Sequence, residues 1–402
     1  MFRFFTAGES HGEALVAAIA GLPAGIAVDQ TFVERELWRR QQGYGRGGRM
    51  KIERDTAHIV AGVRQGKTIG SPIAIILENK DWKNWQESLP VGEGDPAKHK
   101  RVRSPRPGHA DLAGALKYNF PEARYVLERS SARETAARVA AGAMAKLFLR
   151  ELGMEVLSHV IAVGAAAVEG EVSWDKIAQL YGHDEVLLNC ADADVEQRMK
   201  AEVDKATETR DTVGGVFEVR AHGVPPGLGT YANWDERLDG LLAQAVMSVQ
   251  AVKAVEIGSG ITAAGAMGSA VHDEIGYRDT YVCEPRADVG HPGVFTGFTR
   301  KTNRAGGVEG GVSNGEDIVV RGYLKPISTL RRPLESVDFE TRQPVKAAYE
   351  RSDVCVVPAA GVAAEAMVAL TLARCAVEKF GGDSMGETKR NFEAYLRQLR
   401  EF

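Results

Sequence analysis

Apolar and polar residues alternate over residues 2–6, which predicts a strand. The pattern breaks at Gly8-Glu9-Ser10-His11-Gly12 and resumes with small apolar residues through Ile19, until Gly21-Leu22-Pro23-Ala24-Gly25 turns the chain. A polar loop pinned between two strands is well placed for chemistry. Asp29 is a candidate cap for a helix that carries Phe32, Val33, Leu37 and Trp38 on one face and ends near Gln42. Residues 59–63 and 72–77 read as strands, whereas 78–100, with mixed charges around Trp82 and Trp85, reads as a surface excursion. Ser131-Ala132-Arg133-Glu134 matches the capping box S-x-x-E, and Val139, Met144, Leu147 and Phe148 carry a helical period to about residue 153.

Further along, 154–165 and 215–221 have strand patterns, 194–207 is a polar helix and 234–252 an amphipathic one. Glycine is dense and periodicity absent over 286–315, which predicts a long, mobile functional loop. Strands are expected at 317–323 and 353–357, a buried Ala-rich helix at 362–380 and an exposed helix at 387–401. With no internal repeat and no low-complexity linker, residues 1–402 read as one α+β domain.

Composition narrows the class. The chain has 402 residues, 44% hydrophobic and 26% charged, ordinary globular usage that excludes disorder as the default. A formal net charge of −4 leaves no global positive field for nucleic acid or an anionic membrane, so anion binding has to come from local clustering. Cys190, Cys283, Cys355 and Cys375 are widely spaced, without a CxxC or Cys/His ligand pattern. They are expected to be buried thiols in a reducing compartment. The N-terminus lacks a signal-peptide pattern, and no stretch is expected to reach the ~20 apolar residues of a membrane span, so the expected location is cytoplasmic.

Two phosphate-binding patterns fail on context. Ala61-Gly62-Val63-Arg64-Gln65-Gly66-Lys67-Thr68 resembles a loosened P-loop, but Gly70, Pro72 and β-branched residues follow where a helix is required. Gly43-Tyr44-Gly45-Arg46-Gly47-Gly48 matches GxGxxG but follows a helix and precedes no helix. The cationic loops are the stronger signal. Arg39, Arg40, Arg46 and Arg49 cluster in one stretch, Arg101, Arg103 and Arg106 in a second, and Arg129 and Arg133 flank the capping box. Arg300, Lys301 and Arg304 lie in a glycine-rich stretch, and Lys325, Arg331, Arg332 and Arg351 come later. A single loop arginine is usually a solvated charge. Several planar guanidinium forks interleaved with glycine suit a small polyanion bearing carboxylate and phosphate groups. His11 and His109 sit inside such loops and could act as general acids beside a phosphate, although a lone loop histidine is more often a surface residue.

Gly8-Glu9-Ser10-His11-Gly12, Arg106-Pro107-Gly108-His109-Ala110-Asp111, Arg129-Ser130-Ser131-Ala132-Arg133-Glu134-Thr135 and Arg351-Ser352-Asp353 occur in one order. With Gly306-Gly307-Val308-Glu309-Gly310-Gly311-Val312-Ser313-Asn314-Gly315 and Lys325-Pro326-Ile327-Ser328-Thr329, they resemble the chorismate synthase family from residue 1 to beyond 360. The resemblance implies a β-α-β sandwich, with helices enclosed between antiparallel sheets, in a homotetramer. It implies a 1,4-anti-elimination of phosphate from 5-enolpyruvylshikimate 3-phosphate to give chorismate, with reduced FMN (FMNH2) and no net redox change. By the same resemblance Arg40, Arg46, Arg49, Arg106 and Arg133 would grip the substrate. Arg129, Ser130, Ser131, Gln250, Ala251, Gly310, Lys325, Pro326, Ile327, Ser328, Thr329 and Arg351 would hold the flavin. His11 would protonate the departing phosphate, His109 would protonate or electrostatically steady the reduced flavin, and Asp353, placed at the flavin, would help relay the proton from the position that receives the substrate hydrogen. A blander role for Asp353 is an ion pair with Arg351. Residues 78–100 form a longer insertion than the shortest family members carry, and are expected to be surface or interface material.

Two rival classes remain. An NAD(P)H-dependent flavin reductase would share the flavin site, but no nicotinamide pattern is present. A nucleic-acid-binding module built on the Arg/Gly loops is opposed by the net charge and the lack of interleaved aromatics.

Overall fold

The computed structural model describes residues 1–47, 54–277, 297–350 and 353–402. Two antiparallel sheets enclose a layer of helices. In the first sheet, β1 (Arg3–Ala7), β2 (Ala14–Ala20), β3 (His58–Ala61) and β4 (Ile73–Glu78) stand in the order β1-β2-β4-β3. Leu15, Ala17 and Ile19 of β2 and Ile73, Ile75 and Leu77 of β4 point inward and are buried, as a period-2 pattern requires. In the second sheet, β5 (Glu155–Val163), β6 (Gly215–His222), β7 (Val252–Ile257) and β8 (Ile318–Leu324) run in the order β7-β8-β6-β5, with the short strand Ala166–Ala167 beyond β5.

Between the sheets lie α1 (Gln30–Gln41), α4 (Thr135–Arg150) and α8 (Val357–Phe380). Helix α4 packs on the first sheet, α8 on β5 and β6, and the two helices pack on each other. Their closeness follows from composition: a Cβ added to Gly142 would sit 2.3 Å from the Ala366 Cβ. Helix α8 corrects one expectation. It is long and apolar enough to cross a membrane, but most of it is buried here as the core helix between the sheets. Into this apolar layer the fold inserts four charges. Arg39 donates to Glu365 at 2.7 Å and to Glu36 at 3.2 Å, Lys146 reaches both carboxylates, and Ser158 N donates to Glu365 at 2.7 Å. The cluster ties α1, α4, α8 and β5 in one register, because leaving any of these charges unpaired in the core would be costly.

The periphery carries α2 (Asp111–Tyr118), α3 (Arg124–Ser130), α5 (Trp174–Tyr181), α6 (Ala193–Glu208), α7 (Leu238–Met247) and α9 (Met385–Glu401). Asp29 caps α1 by accepting from Thr31 N and Phe32 N. The loosened P-loop is a hairpin, Val63–Arg64 against Lys67–Thr68, turned by Gln65 and Gly66 at positive φ.

Four expectations need correction. The helix over 234–252 ends at Met247, and Val252–Ile257 is the strand β7, the change falling at Ala251 with φ 70°. The strand over 353–357 is absent; Val357 already opens α8, with Pro358 in its first turn, where a missing N–H costs nothing. Ser131 accepts from Arg133 N and caps the short 3-10 turn Ala132–Glu134, but Glu134 does not close a capping box. Its carboxylate accepts instead from Thr6 Oγ1 at 2.6 Å, Arg138 and Gln250. Of the glycine-rich stretch 286–315, the described part forms the strand Phe298–Arg300 and the hairpin Val308–Glu309/Val312–Ser313, while 278–296 lies outside the described residues.

Candidate active site

A cavity of about 890 Å³ opens where the loop after β1, the end of α1, the starts of α4 and α8, the segment around His109 and the segment after β8 converge. Four of its arginines, Arg40, Arg46, Arg106 and Arg133, are held by carboxylates. Arg39 and Arg40 are neighbours in the last turn of α1, and the helical rotation of about 100° between them sends Arg39 into the core and Arg40 into the cavity. Arg40 Nη2 donates to Asp55 Oδ2 at 2.7 Å, and Arg133 Nη1 donates to Asp55 Oδ1 at 2.5 Å. Arg133 Nε also donates to Asn79 Oδ1 at 2.9 Å. Burial alone would raise the Asp55 carboxyl, but the two guanidiniums outweigh it and hold it low. The Arg40 guanidinium is itself lowered by burial and by the charge of Arg133, against the pull of Asp55. Arg46 Nη1 lies 3.1 Å from Asp353 Oδ2, and Gly47 N donates to Asp353 Oδ1 at 2.5 Å. Asp353 thus has a basic partner in Arg46.

Both histidines stand on the cavity wall, each against a carboxylate that an arginine also holds. His11 Nδ1 is 3.0 Å from Glu128 Oε1, and the backbone N of His11 donates to Glu128 Oε2 at 2.8 Å. Arg124 Nη1 donates to the same carboxylate at 3.2 Å. Burial would raise the Glu128 carboxyl, but these bonds, led by His11, lower it. His109 Nδ1 is 2.5 Å from Asp111 Oδ1, and Arg106 Nε donates to Asp111 Oδ2 at 2.8 Å. The Asp111 carboxyl is held well below the usual carboxylate range, since the bonds from His109 and Arg106 outweigh its burial. A carboxylate on Nδ1 fixes the tautomer and the orientation of the imidazole.

Ser130, Ser131, Gln250, Ala251, Lys325, Ile327, Ser328 and Thr329 share the same cavity. Thr329 Oγ1 accepts from Arg106 Nη1 at 2.9 Å, which joins the segment after β8 to the His109 loop. Lys325 Nζ donates to Gly108 O, and burial together with the charge of Lys253 lowers its ammonium. Among the described residues, the buried Gln250 Oε1 has no hydrogen-bond donor, so the wall offers an acceptor to a ligand.

Three expected residues stand apart from the wall. Arg129 is half-exposed and donates to Thr6 O at 2.9 Å and Gly8 O at 3.1 Å, bracing the loop that carries His11. Gly310 lies at the turn of the hairpin Val308–Ser313, and Pro326 is a neighbour of the lining residues. Arg49 and Arg351 lie outside the described residues. The sequence reading missed Asp55, Glu128 and Asp111. Asp111 alone had a signal, two positions after His109 in the loop already singled out. The excursion 78–100 is also corrected. Asp81, Asn84 and Trp85 line the cavity, because Asn79 Nδ2 donates to Gly12 O at 2.8 Å and ties the start of the excursion to the His11 loop.

Comparison with known proteins agrees with this arrangement. The sequence model of the family "Chorismate synthase" matches residues 2–377. A chorismate synthase of Koribacter versatilis (strain Ellin345) is 71% identical over 403 residues, covering 100% of both chains. One of Acidobacterium capsulatum is 68% identical over 402 residues, again covering 100% of both. Among solved structures, a crystal structure of chorismate synthase superposes with a TM-score of 0.76 at 38% identity, covering 100% of this chain and 99% of that one. A match of this extent, on a fold and a set of loops that bring the motif residues to one cavity, places the chain in the chorismate synthase family of lyases.

Proposed function

We propose that the cavity binds 5-enolpyruvylshikimate 3-phosphate against reduced FMN and catalyses the 1,4-anti-elimination that releases phosphate and gives chorismate, without net oxidation. The observation that carries this reading is the convergence of Arg40, Arg46, Arg106 and Arg133 with the His11–Glu128 and His109–Asp111 pairs on one cavity. A substrate with two carboxylates and a phosphate needs that density of forked donors. The residues present also fit a flavin. The volume is at the upper end of small-molecule sites, room for two ligands, and Leu127, Val249, Ala359, Ala360 and Ala363 supply apolar wall beside the polar donors.

In this reading Arg40, Arg46, Arg106 and Arg133 orient the anionic groups, with Arg49 extending the set. His11 gives a proton to the departing phosphate, and Glu128, on Nδ1, holds the ring in the orientation from which Nε2 can deliver it. His109, backed by Asp111, steadies negative charge on the cofactor side, and Asp353 helps relay the proton away from the position there that receives the substrate hydrogen. Ser130, Ser131, Gln250, Ala251 and the segment Lys325 to Thr329 hold the cofactor, with Arg129, Gly310 and Arg351 at its margin. The chemistry that a reduced flavin supplies when bound is reversible donation of electron density, which an elimination with a weakly acidic ring hydrogen requires. The decisive experiment is anaerobic incubation of the purified protein with chemically reduced FMN and 5-enolpyruvylshikimate 3-phosphate. Stoichiometric chorismate and phosphate, with the flavin still reduced, is the expected result. Steady NADPH consumption without the shikimate substrate would favour a flavin reductase instead.

A further inference from the structure

We infer that Trp85 is a positioning residue for His11, so that the excursion 78–100 is a working wall of the active site. This deepens the reading of His11 as the phosphate-side acid and rests on it. The indole and imidazole centroids are 4.0 Å apart with an interplanar angle of 30°. Glu128 holds one edge of the imidazole through Nδ1, and Trp85 covers its face. Together they fix both the tautomer and the plane of the ring, so proton exchange with a ligand runs through Nε2.

The excursion is built to hold the indole there. Trp85 Nε1 donates to Asp81 Oδ2 at 3.1 Å, and Asn84 Nδ2 donates to Asp81 Oδ1 at 2.7 Å, which closes the turn Lys80–Asn84 on itself. Lys100 Nζ lies 3.9 Å from the indole centroid and Arg124 Cζ 5.2 Å from it. Arg124 Nε donates to Lys100 O at 2.7 Å, while its guanidinium also reaches Glu128. His99 pairs with Glu122, whose other oxygen accepts from Val102 N at 2.6 Å, so the far end of the excursion is fastened beside α3. Helix α3 therefore carries both the carboxylate that holds His11 and Arg124, one of the two cations beside the indole.

The test compares the wild type with Trp85→Phe, Trp85→Ala, His11→Ala and the Trp85→Ala/His11→Ala double variant, under the anaerobic conditions given above. Trp85→Ala should lower kcat about tenfold, the scale of a lost cation–π and stacking contact, with KM for the shikimate substrate changed by less than about twofold. Trp85→Phe should recover activity to within about threefold of wild type, since a phenyl ring keeps the face. In the His11→Ala background the loss of the indole should cost nothing more. An unchanged kcat in Trp85→Ala, a loss confined to KM, or an undiminished loss without His11 would each overturn the inference. If Trp85→Ala does not fold, Trp85→Leu enters the same cycle. A second readout is independent of turnover: Trp85 emission, isolated as the difference between wild type and Trp85→Phe, should rise in His11→Ala, because the neighbouring imidazole quenches it. Unchanged emission would remove the contact. A wild-type protein that makes no chorismate would sink the reaction assigned to the cavity, whereas an active wild type with an indifferent Trp85 would sink only the inference.

Discussion

Replacing Asp55 with Asn removes a negative charge that stands between two buried guanidiniums. The carboxylate accepts from Arg40 at 2.7 Å and from Arg133 at 2.5 Å, and all three side chains are buried. An amide can still accept from one arginine, but it turns an NH2 toward the other and leaves two cations facing each other. Breaking a buried ion pair by removing one partner costs about 3–5 kcal/mol, and the retained acceptor puts this variant near the lower end, about 3 kcal/mol. For a chain of 402 residues that corresponds to a drop in Tm of about 4 °C. Thermal unfolding of the ligand-free protein at neutral pH, with and without excess phosphate, measures it. The variant should melt lower, and phosphate should raise its Tm more than that of the wild type, because an added anion replaces the missing charge. A Tm within about 1 °C of wild type, with no added response to phosphate, would show that the two arginines reach water without Asp55, and the reasoning would fail.

Further expectations follow from the same geometry. His11→Ala and His109→Ala should each reduce chorismate turnover about a hundredfold or more, measured anaerobically with excess substrate, as loss of an acid–base group usually does. Gly142→Ala should destabilise the fold by about 1–3 kcal/mol in chemical denaturation, since its Cβ would sit 2.3 Å from that of Ala366 where α4 meets α8. Acid should unfold the protein through its paired carboxylates. Glu218, despite its burial, is held at about 2 by His159, Arg220 and Arg321, and Asp55, Asp111, Glu128 and Glu365 are also lowered. Carboxyls lowered in the folded state stabilise it above their unfolded values near pH 4, and that stability is lost as pH falls through the folded values. A Tm measured against pH should therefore fall steeply between about pH 4.5 and 2 and stay flat from about pH 5 to 7.

Much of the fold was legible because its strands and helices bury one periodic face. Residues 14–20 and 73–78 show this in Leu15, Ala17, Ile19, Ile73, Ile75 and Leu77, and Asp29 marked the start of α1 by its own capping chemistry. Val252–Ile257 was not legible, since the apolar residues of α7 run into those of β7 and the boundary is a backbone conformation at Ala251. Val354-Cys355-Val356 imitates a strand locally, but it leads directly into the helix start at Val357. In the active site the cations and imidazoles stood out because they interrupt glycine-rich loops. Their carboxylates did not, because Glu128 meets His11 across 117 positions and Asp55 joins Arg40 to Arg133, the latter 78 positions away. Trp85 was hidden in the same way: its charged neighbours in sequence describe a solvated segment, while its neighbour in space is His11.

The pairing of Arg40, Arg46, Arg106 and Arg133 with carboxylates also bears on what the site admits. A guanidinium has five N–H donors, and Asp55, Asp353 and Asp111 engage some of them while fixing the direction of the fork. A wall whose charge is partly offset in this way attracts chloride or a single carboxylate less strongly than bare arginines would. A ligand that presents several anionic groups at matching separations gains from all the pre-aimed forks at once, as in multivalent binding. Discrimination against the monoanions of a cell then comes from spacing more than from field strength, and it persists in salt that would screen an open basic surface.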